Sequence, residues 1–144
     1  MKIGILIVFR NNEKDIDVQQ FTDILANKTR LEICFVNNGS TDGTLKKLHE
    51  IKEEVPIQIA TIDVKKDRGH NAAIKAGVRY LTSKKEFPYI LCLQKFHRKD
   101  IKLLTNVFHI IEEKKGIVVS IFNKTKRIVH KNVFSLRGIL ERAC

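Results

Sequence analysis

The chain has 144 residues, a length typical of one domain with one hydrophobic core. Hydrophobic residues make up 43% and charged residues 30%, which is typical of a globular protein and argues against a disordered or fibrous chain. No apolar run approaches the roughly 20 residues of a membrane-spanning helix, so no transmembrane segment is predicted. The formal net charge of +11 favours anionic partners such as nucleotides, lipid head groups or nucleic acid.

The cysteines and the first residues predict a cytoplasmic protein. Cys34 and Cys92 fall inside predicted central strands, and Cys144 is the last residue. None of the three has the spacing of metal ligands, so reduced and buried thiols are the simplest interpretation. Met1 and Lys2 lead straight into an apolar run, so no secretory signal is expected.

Strands and helices alternate along the first half of the chain. Ile3 to Val8 is a continuous apolar run, as expected for a strand covered on both faces. A helix is predicted over 15–27, where apolar residues recur at helical spacing, and a second strand over 31–36. A helix over 41–53 follows, and Pro56 ends this unit.

The second half continues the alternation. The predicted elements are a strand over 57–62, a helix over 71–81 with small residues on its inner face, a strand over 89–93, a helix over 99–115 ended by Gly116, a strand over 117–122 and a helix over 131–143. Short connections between alternating elements predict an α/β fold, a three-layer α/β/α sandwich with a mostly parallel sheet. No linker or repeat is visible, so residues 1–144 are predicted to form a single domain.

The most informative stretch runs from Val36 to Thr44 and reads VNNGSTDGT. It follows an apolar strand and opens a helix, so it lies at the carboxyl edge of the sheet, where α/β proteins bind ligands. It resembles the VDDGSTDGT signature of the family 2 glycosyltransferases, which have the GT-A fold and bind nucleotide-diphospho-sugars. The family's acidic pair contacts the nucleotide. Here the pair is Asn37 and Asn38, which can form hydrogen bonds but bring no charge.

The rest of this stretch allows two interpretations. Asp42 is predicted near the N-terminus of the following helix, where free N–H groups favour a carboxylate. The resemblance implies that Asn37, Asn38 and Asp42 bind substrate. The alternative is that residues 39–44 mainly build the turn and the helix cap.

Two further segments resemble donor-binding parts of the family. Val8 to Glu13 is similar to the family's IPxYNEEE segment, which closes over the base and ribose, and this implies substrate binding by Arg10, Asn12 and Glu13. Asparagine is also ordinary turn chemistry before a helix. Asp67 to Gly77 is similar to NxGxxAAxxxG. Here Gly69 would allow close approach of a ligand and Arg68 could reach a phosphate or a base, although a plain helix start is the competing interpretation.

The metal motif of the family is replaced. Its Asp-x-Asp follows the fourth strand, but here the segment reads Gln94-Lys95-Phe96. Mg²⁺ or Mn²⁺, expected for the family, wants carboxylate oxygens, so no metal is predicted. Two hypotheses remain: the chemistry is lost, or Lys95, His97 and Arg98 stabilise the departing diphosphate in place of the ion. Asp100 is predicted to cap the next helix rather than to bind metal.

The later chain is similar to the polyprenyl-phosphate glycosyltransferase branch. Gly116 to Ser120 resembles its DVVxGSR strand, and Val133 to Leu140 resembles its next helix, often near a membrane surface. The usual acceptor-binding part is expected to be short or missing. No general base can be named.

Three function classes follow. The leading one is an inverting glycosyltransferase that uses a UDP- or GDP-linked sugar. The second is a catalytically inactive relative that acts as a binding or interaction module, with a possible protein partner. The third is a basic protein that binds polyanions or the inner face of an anionic membrane through an amphipathic helix over 131–143. Nucleic acid is disfavoured, because the chain has two tyrosines and no tryptophan.

Overall fold

The computed structural model describes residues 3–28, 30–83, 85–87, 89–113 and 133–138. Their helices and strands are numbered here in chain order. They are β1 Ile3–Phe9, α1 Val18–Leu25, β2 Leu31–Asn38, α2 Thr44–Glu54, β3 Ile59–Val64, α3 His70–Thr82, β4 Tyr89–Leu93, α4 Asp100–Glu113 and β5 Val133–Ser135.

The strands form one parallel sheet in the order β3-β2-β1-β4-β5. The chain builds outward from β1 through β2 to β3, and then returns to the other side of β1 for β4 and β5. The direction of growth therefore reverses between β1 and β4. In open α/β sheets, ligands bind outside the carboxyl ends of the strands near such a reversal. The predicted α/β fold with a parallel sheet is confirmed.

Helices cover both faces of the sheet. Alternate residues of β1, such as Ile5 and Ile7, pack in a core with α1, α2 and α4. Leu6 and Val8 point the other way and pack in a second core with α3. All seven residues of β1 are buried, as its continuous apolar run predicted.

Helix α3 packs close to the sheet because its inner face is small. Ala73 and Gly77 are both buried there. A Cβ atom on Gly77 would lie 2.1 Å from Cδ1 of Leu6 and 3.0 Å from Cγ2 of Val36. The small inner face that the sequence predicted is confirmed at Ala73 and Gly77, whereas Ala72 and Ala76 are only partly buried. None of the described helices is long and apolar enough to cross a membrane.

Two element boundaries differ from prediction in ways that shape the carboxyl edge. β3 begins and ends two residues later than predicted, which places Asp63 inside the strand and opposite Asn37 of β2. α2 begins at Thr44 rather than at residue 41. Ser40 to Gly43 instead make hydrogen bonds to the loop that follows β1.

The predicted helix over 131–143 is wrong for residues 133–135, whereas residues 136–138 are helical. Val133 to Ser135 form β5, which pairs in parallel with β4. Val133 is buried in the α3-side core and Phe134 in the opposite core, a two-sided burial that suits a strand rather than an amphipathic helix. Leu136 is also buried. The predicted strand over 117–122, the helix end at Gly116 and the rest of the predicted last helix lie outside the described residues.

Candidate functional site

The loops that follow β1 and β2 are tied together at the carboxyl edge. Glu13 Oε1 accepts the Gly43 N–H at 2.7 Å, while the Glu13 N–H donates to Asp42 Oδ2 at 3.2 Å. Asp42 Oδ1 also accepts the Thr44 N–H at 3.0 Å, so Asp42 lies at the N-terminus of α2 as predicted. Burial acts to raise the pKa of Asp42, but hydrogen bonds from Thr44 and Glu13 outweigh it and lower that pKa below its ordinary 3.8.

Asn11 adds a second connection between these loops. Its backbone has a φ of +50°, a left-handed conformation that asparagine tolerates better than most residues. Its N–H donates to Ser40 Oγ at 3.0 Å, and its Oδ1 accepts the Thr41 N–H at 2.8 Å. Asn11 therefore fixes the geometry of the edge.

Asn12 is an internal brace. It is 5% exposed, and its N–H donates to Thr44 Oγ1 at 2.8 Å. Its side-chain amide donates to Asp15 Oδ2 and to the Phe96 carbonyl, both at 3.0 Å. These contacts join the loops after β1, β2 and β4. The backbone N–H and the side-chain amide of Asn12 therefore donate to groups of the protein itself.

Asn37 and Asn38 each lie beside an aspartate from the neighbouring chain segment. Asn37 Nδ2 donates to Asp63 Oδ1 at 3.0 Å, and Asn38 Nδ2 donates to Asp67 Oδ1 at 3.3 Å. Asp63 and Asp67 thus place two carboxylates beside the asparagines of β2, which itself supplies none. Asn38 is 1% exposed, and its Oδ1 has no hydrogen-bond partner among the described residues.

Cations accompany both carboxylates. Lys65 Nζ lies 2.7 Å from Asp63 Oδ2, and Arg10 Nη1 lies 2.7 Å from Asp67 Oδ2. The Lys65 hydrogen bond, above all, lowers the pKa of Asp63. The Gly69 N–H is the main cause of the lowered pKa of Asp67, with Arg10 contributing as a charge. Both carboxylates are therefore ionised near neutral pH.

Open space lies above Gly69, at the start of α3. Its φ of +96° favours glycine, and a Cβ built there would meet no atom within 4 Å. The first turn of α3 contains no acid, and Arg68 lies exposed beside it. Free N–H groups at a helix start attract anions, and the two neighbouring arginines Arg10 and Arg68 strengthen that attraction.

The loop after β4 is built differently, around a buried phenylalanine. Phe96 is fully buried, with its ring centroid 5.0 Å from that of Phe9 and 5.3 Å from that of Phe21. Its N–H donates to the Val8 carbonyl at 3.1 Å. The position where the resemblance places a metal-binding aspartate is therefore a core anchor.

An ion pair holds the same loop from the other side. Arg137 Nη1 lies 2.8 Å from Asp100 Oδ1, and Arg137 Nη2 lies 2.9 Å from Asp100 Oδ2 and 3.3 Å from the Lys95 carbonyl. Asp100 is 3% exposed, and its Oδ2 also accepts the His97 N–H at 2.7 Å, a capping contact as predicted. Within the described ranges, no cluster of three His, Cys, Asp or Glu residues could hold a metal.

The three predicted diphosphate cations differ in availability. The Arg98 guanidinium donates to the Lys14 carbonyl, and its Nε lies 4.0 Å from Asp15 Oδ1. Lys95 and His97 are exposed, and their side chains make no ion pair with any residue that the structure describes. Arg98 therefore connects the loop after β4 to the loop after β1.

The predicted site residues thus divide into three groups. The carboxyl ends of β1, β2 and the β3–α3 loop collect Arg10, Asn37, Asn38, Arg68 and Gly69. Asn12, Glu13 and Asp42 tie loops together, and Lys95, His97 and Arg98 follow β4. The sequence interpretation did not select Asn11, Asp63, Asp67 or Arg137. Asp63 and Asp67 had an available signal, because Asp63 directly follows the predicted strand over 57–62 and Asp67 lies in the loop after it, but Arg137 had none.

The comparisons with known proteins give a family. The sequence profile of the family described as "Glycosyl transferase family 2" matches residues 5–128. The chain belongs to glycosyl transferase family 2. The match spans the whole carboxyl edge from β1 to the loop after β4, so the resemblance of the motifs to this family is confirmed. No curated protein matches the sequence.

One solved structure, with a TM-score of 0.50, shares the fold of this family 2 member. The crystal structure of S. aureus TarS 1–349 matches with a TM-score of 0.50 and 18% identity, over 78% of this chain and 33% of that one. Structures of TarS 1–349 in complex with UDP-GlcNAc and with UDP have TM-scores of 0.45 and 0.46 and identities of 19% and 20%. The chain thus spans about a third of the length of these TarS structures.

Proposed function

We propose that this family 2 member binds a nucleotide-diphospho-sugar at the carboxyl ends of β1, β2 and β3 and transfers the sugar, with inversion, to an acceptor. The observation that carries the proposal is the convergence of Arg10, Asn38, Asp67 and Gly69 at this edge. The Arg10 guanidinium, the Asp67 carboxylate and the open start of α3 at Gly69 form a polar surface above the buried Asn38. Family membership supplies the reaction class.

The chemistry of these groups suits the two ends of a nucleotide. Asp63 and Asp67 are hydrogen-bond acceptors for base N–H or ribose hydroxyl groups. Arg10 and Arg68 are donors for phosphate oxygens, with the free N–H groups of α3 beside them. Donor binding would exchange the Arg10–Asp67 contact of 2.7 Å for contacts to the ligand.

The divalent ion that the family implies does not fit the loop after β4. Phe96 is packed in the core, and both oxygens of Asp100 are engaged by Arg137. A cation would have to displace these contacts to gain oxygen ligands. We therefore derive no step through a metal.

Transfer would proceed by direct displacement. The acceptor hydroxyl loses its proton to water as its oxygen forms a bond to the anomeric carbon from the face opposite the diphosphate. The bond from that carbon to the diphosphate oxygen breaks, and its electron pair leaves on the diphosphate. Lys95 and His97 are the exposed cations that can stabilise this leaving charge, with Arg98 behind them. The titration described below tests whether the donor carries UDP or GDP. The release assay with candidate acceptors tests the class of acceptor.

The setting that we propose is cytoplasmic, with residues 1–144 acting as one domain. Burial raises the pKa of the Cys34 thiol to about 12 and raises that of Cys92 as well, so neither is a reactive thiolate. Both cysteines flank Leu6 in adjacent strands, within the core of the sheet.

Calorimetric titration tests donor binding. UDP, GDP and their sugar derivatives are titrated into the wild-type chain and into Arg10→Ala and Asp67→Asn. We expect one nucleotide series to bind and each variant to weaken it by about tenfold or more, or roughly 1.4 kcal/mol. Asp23→Asn, on the exposed face of α1, is the control and should bind as wild type. Wild-type affinity in both site variants would place the donor elsewhere.

The second candidate is a donor-binding protein without transferase activity. The loop after β4 favours it, because the position that the resemblance gives to a metal-binding aspartate is filled by the buried Phe96. Release of nucleoside diphosphate from the bound sugar donor, with and without candidate acceptors, separates the two. Binding with no release in any condition selects the second candidate, and release that falls in Lys95→Ala selects the first.

A further inference from the structure

A groove with a different set of residues opens on the other side of the β1 loop. It lies between the loop after β1, α1, α2 and the start of α4, and it encloses about 820 Å³. Small-molecule sites typically measure about 300–1,000 Å³. Because its walls include the loops after β1 and β4, it opens where the strand order reverses.

The groove is lined by cations from three separate elements. They are Lys14, Lys47, Arg98, Lys99 and Lys102. The four lysines form no ion pair with any residue in the described ranges. Their mutual repulsion around the groove raises the electrostatic free energy of the protein, and a bound anion would reduce this repulsion.

Two of the three carboxylates in the groove make contacts with other groups. Asp15 Oδ2 accepts the Asn12 amide, and Asp15 Oδ1 lies 4.0 Å from Arg98 Nε. Asp17 Oδ1 accepts the Gln20 N–H at 3.1 Å as the cap of α1. Glu50 is the third acid of the lining. Five cations against three carboxylates leave the lining with a net charge of +2, which favours an anionic ligand.

We propose that this groove is a second anion site, for a soluble ligand that bears several phosphate groups. Lysine ammonium groups act on phosphate as point charges, and a concave wall lets several of them act on one ligand. A membrane surface fits less well. The one exposed large hydrophobic side chain in the described part of the chain is Tyr80, on α3 and so on the opposite face of the sheet. The proposal does not depend on donor binding, because none of the groove's four lysines is a donor-site residue and only Arg98 is common to both sets.

Titration with inorganic tripolyphosphate, followed by backbone amide NMR and calorimetry, tests the groove. The site variant is Lys47→Glu/Lys102→Glu. The control is Lys46→Glu/Lys75→Glu, which changes the net charge equally at exposed positions outside the groove. We expect shifts clustered at residues 14–20, 47–50 and 98–102, and an affinity loss of about tenfold or more in the site variant alone. Added salt should weaken wild-type binding more than that of the site variant.

Three outcomes would overturn the proposal. An equal loss in both double variants would show a general charge effect. Binding to phosphatidylglycerol vesicles that the site variant abolishes, without tripolyphosphate binding, would assign the groove to a membrane. Displacement of tripolyphosphate by saturating UDP or GDP, with nucleotide shifts at the same amides, would make the groove part of the donor site rather than a second one.

Discussion

The two halves of the carboxyl edge are built on opposite principles. The loops after β1, β2 and β3 place charged and polar side chains at the surface and connect them by hydrogen bonds, with open space above Gly69. The loop after β4 is fixed by an aromatic side chain in the core and by an ion pair to Arg137. The first half can exchange its internal contacts for a ligand, whereas the second cannot open without losing core packing.

The largest expected effect comes from restoring an acid to the β4 loop. Phe96→Asp should destabilise the fold by at least about 4 kcal/mol, because it removes a buried ring and places a carboxylate in the core. Urea unfolding measures the change. Gln94→Asp, at the exposed first position, should stay within about 0.5 kcal/mol of wild type. A stable Phe96→Asp protein whose melting temperature rises with Mn²⁺ would show that the loop can form a metal site.

The next largest effect is expected in the polar half of the edge, which consists of the loops after β1, β2 and β3. Gly39 has a φ of +61°, and a Cβ there would lie 2.5 Å from the Asp67 backbone nitrogen. Gly39→Ala should cost about 2–3 kcal/mol, from backbone strain and from displacement of the β3–α3 loop. Gly69→Ala should cost less, since its Cβ meets open space. Thermal unfolding compares the two, and a greater loss in Gly69→Ala would contradict the packing described.

The ion pair of the β4 loop should have a smaller effect. Arg137→Ala leaves the buried Asp100 carboxylate without its partner and should cost about 2 kcal/mol, below the range for fully buried pairs because Arg137 is 47% exposed. Arg79→Ala, at an exposed site on α3, is the matched control. A double-mutant cycle with Asp100→Ala measures the interaction free energy between Arg137 and Asp100. A value of zero would show that this ion pair does not stabilise the loop after β4.

The smallest expected effect is the contribution of Asp42 to the pH dependence of the free energy of unfolding. The pKa of Asp42 is lowered in the folded state, so its contribution is fully present above the unfolded value of 3.8 and is lost as pH falls through the lower folded value. Asp42→Asn should therefore flatten the loss of stability between about pH 5 and pH 3 in urea unfolding. The same slope in variant and wild type would contradict the lowered pKa.

The sequence predicted the fold better than it predicted the site. The apolar run of β1 and the small face of α3 determine local structure directly, so both were predicted correctly. Val133 and Phe134 were assigned to a helix because their spacing also suits one, and only pairing with β4 decides for a strand. The hydrogen bonds of Asn12 to Thr44 and to the Phe96 carbonyl could not be predicted, because these partners lie 32 and 84 positions away. Contacts of that kind depend on the sheet order, which local patterns do not contain.

The most direct test of the central claim is the affinity of the wild-type chain for a sugar nucleotide in EDTA and in Mn²⁺. We place the donor at the loops after β1, β2 and β3 and expect no metal at the loop after β4. The dissociation constant of the sugar nucleotide should therefore be equal in the two buffers, within about twofold. Binding that requires Mn²⁺ would show that a carboxylate of this edge is a metal ligand. No binding up to about millimolar concentration, weaker than roughly 4 kcal/mol, would contradict donor recognition itself.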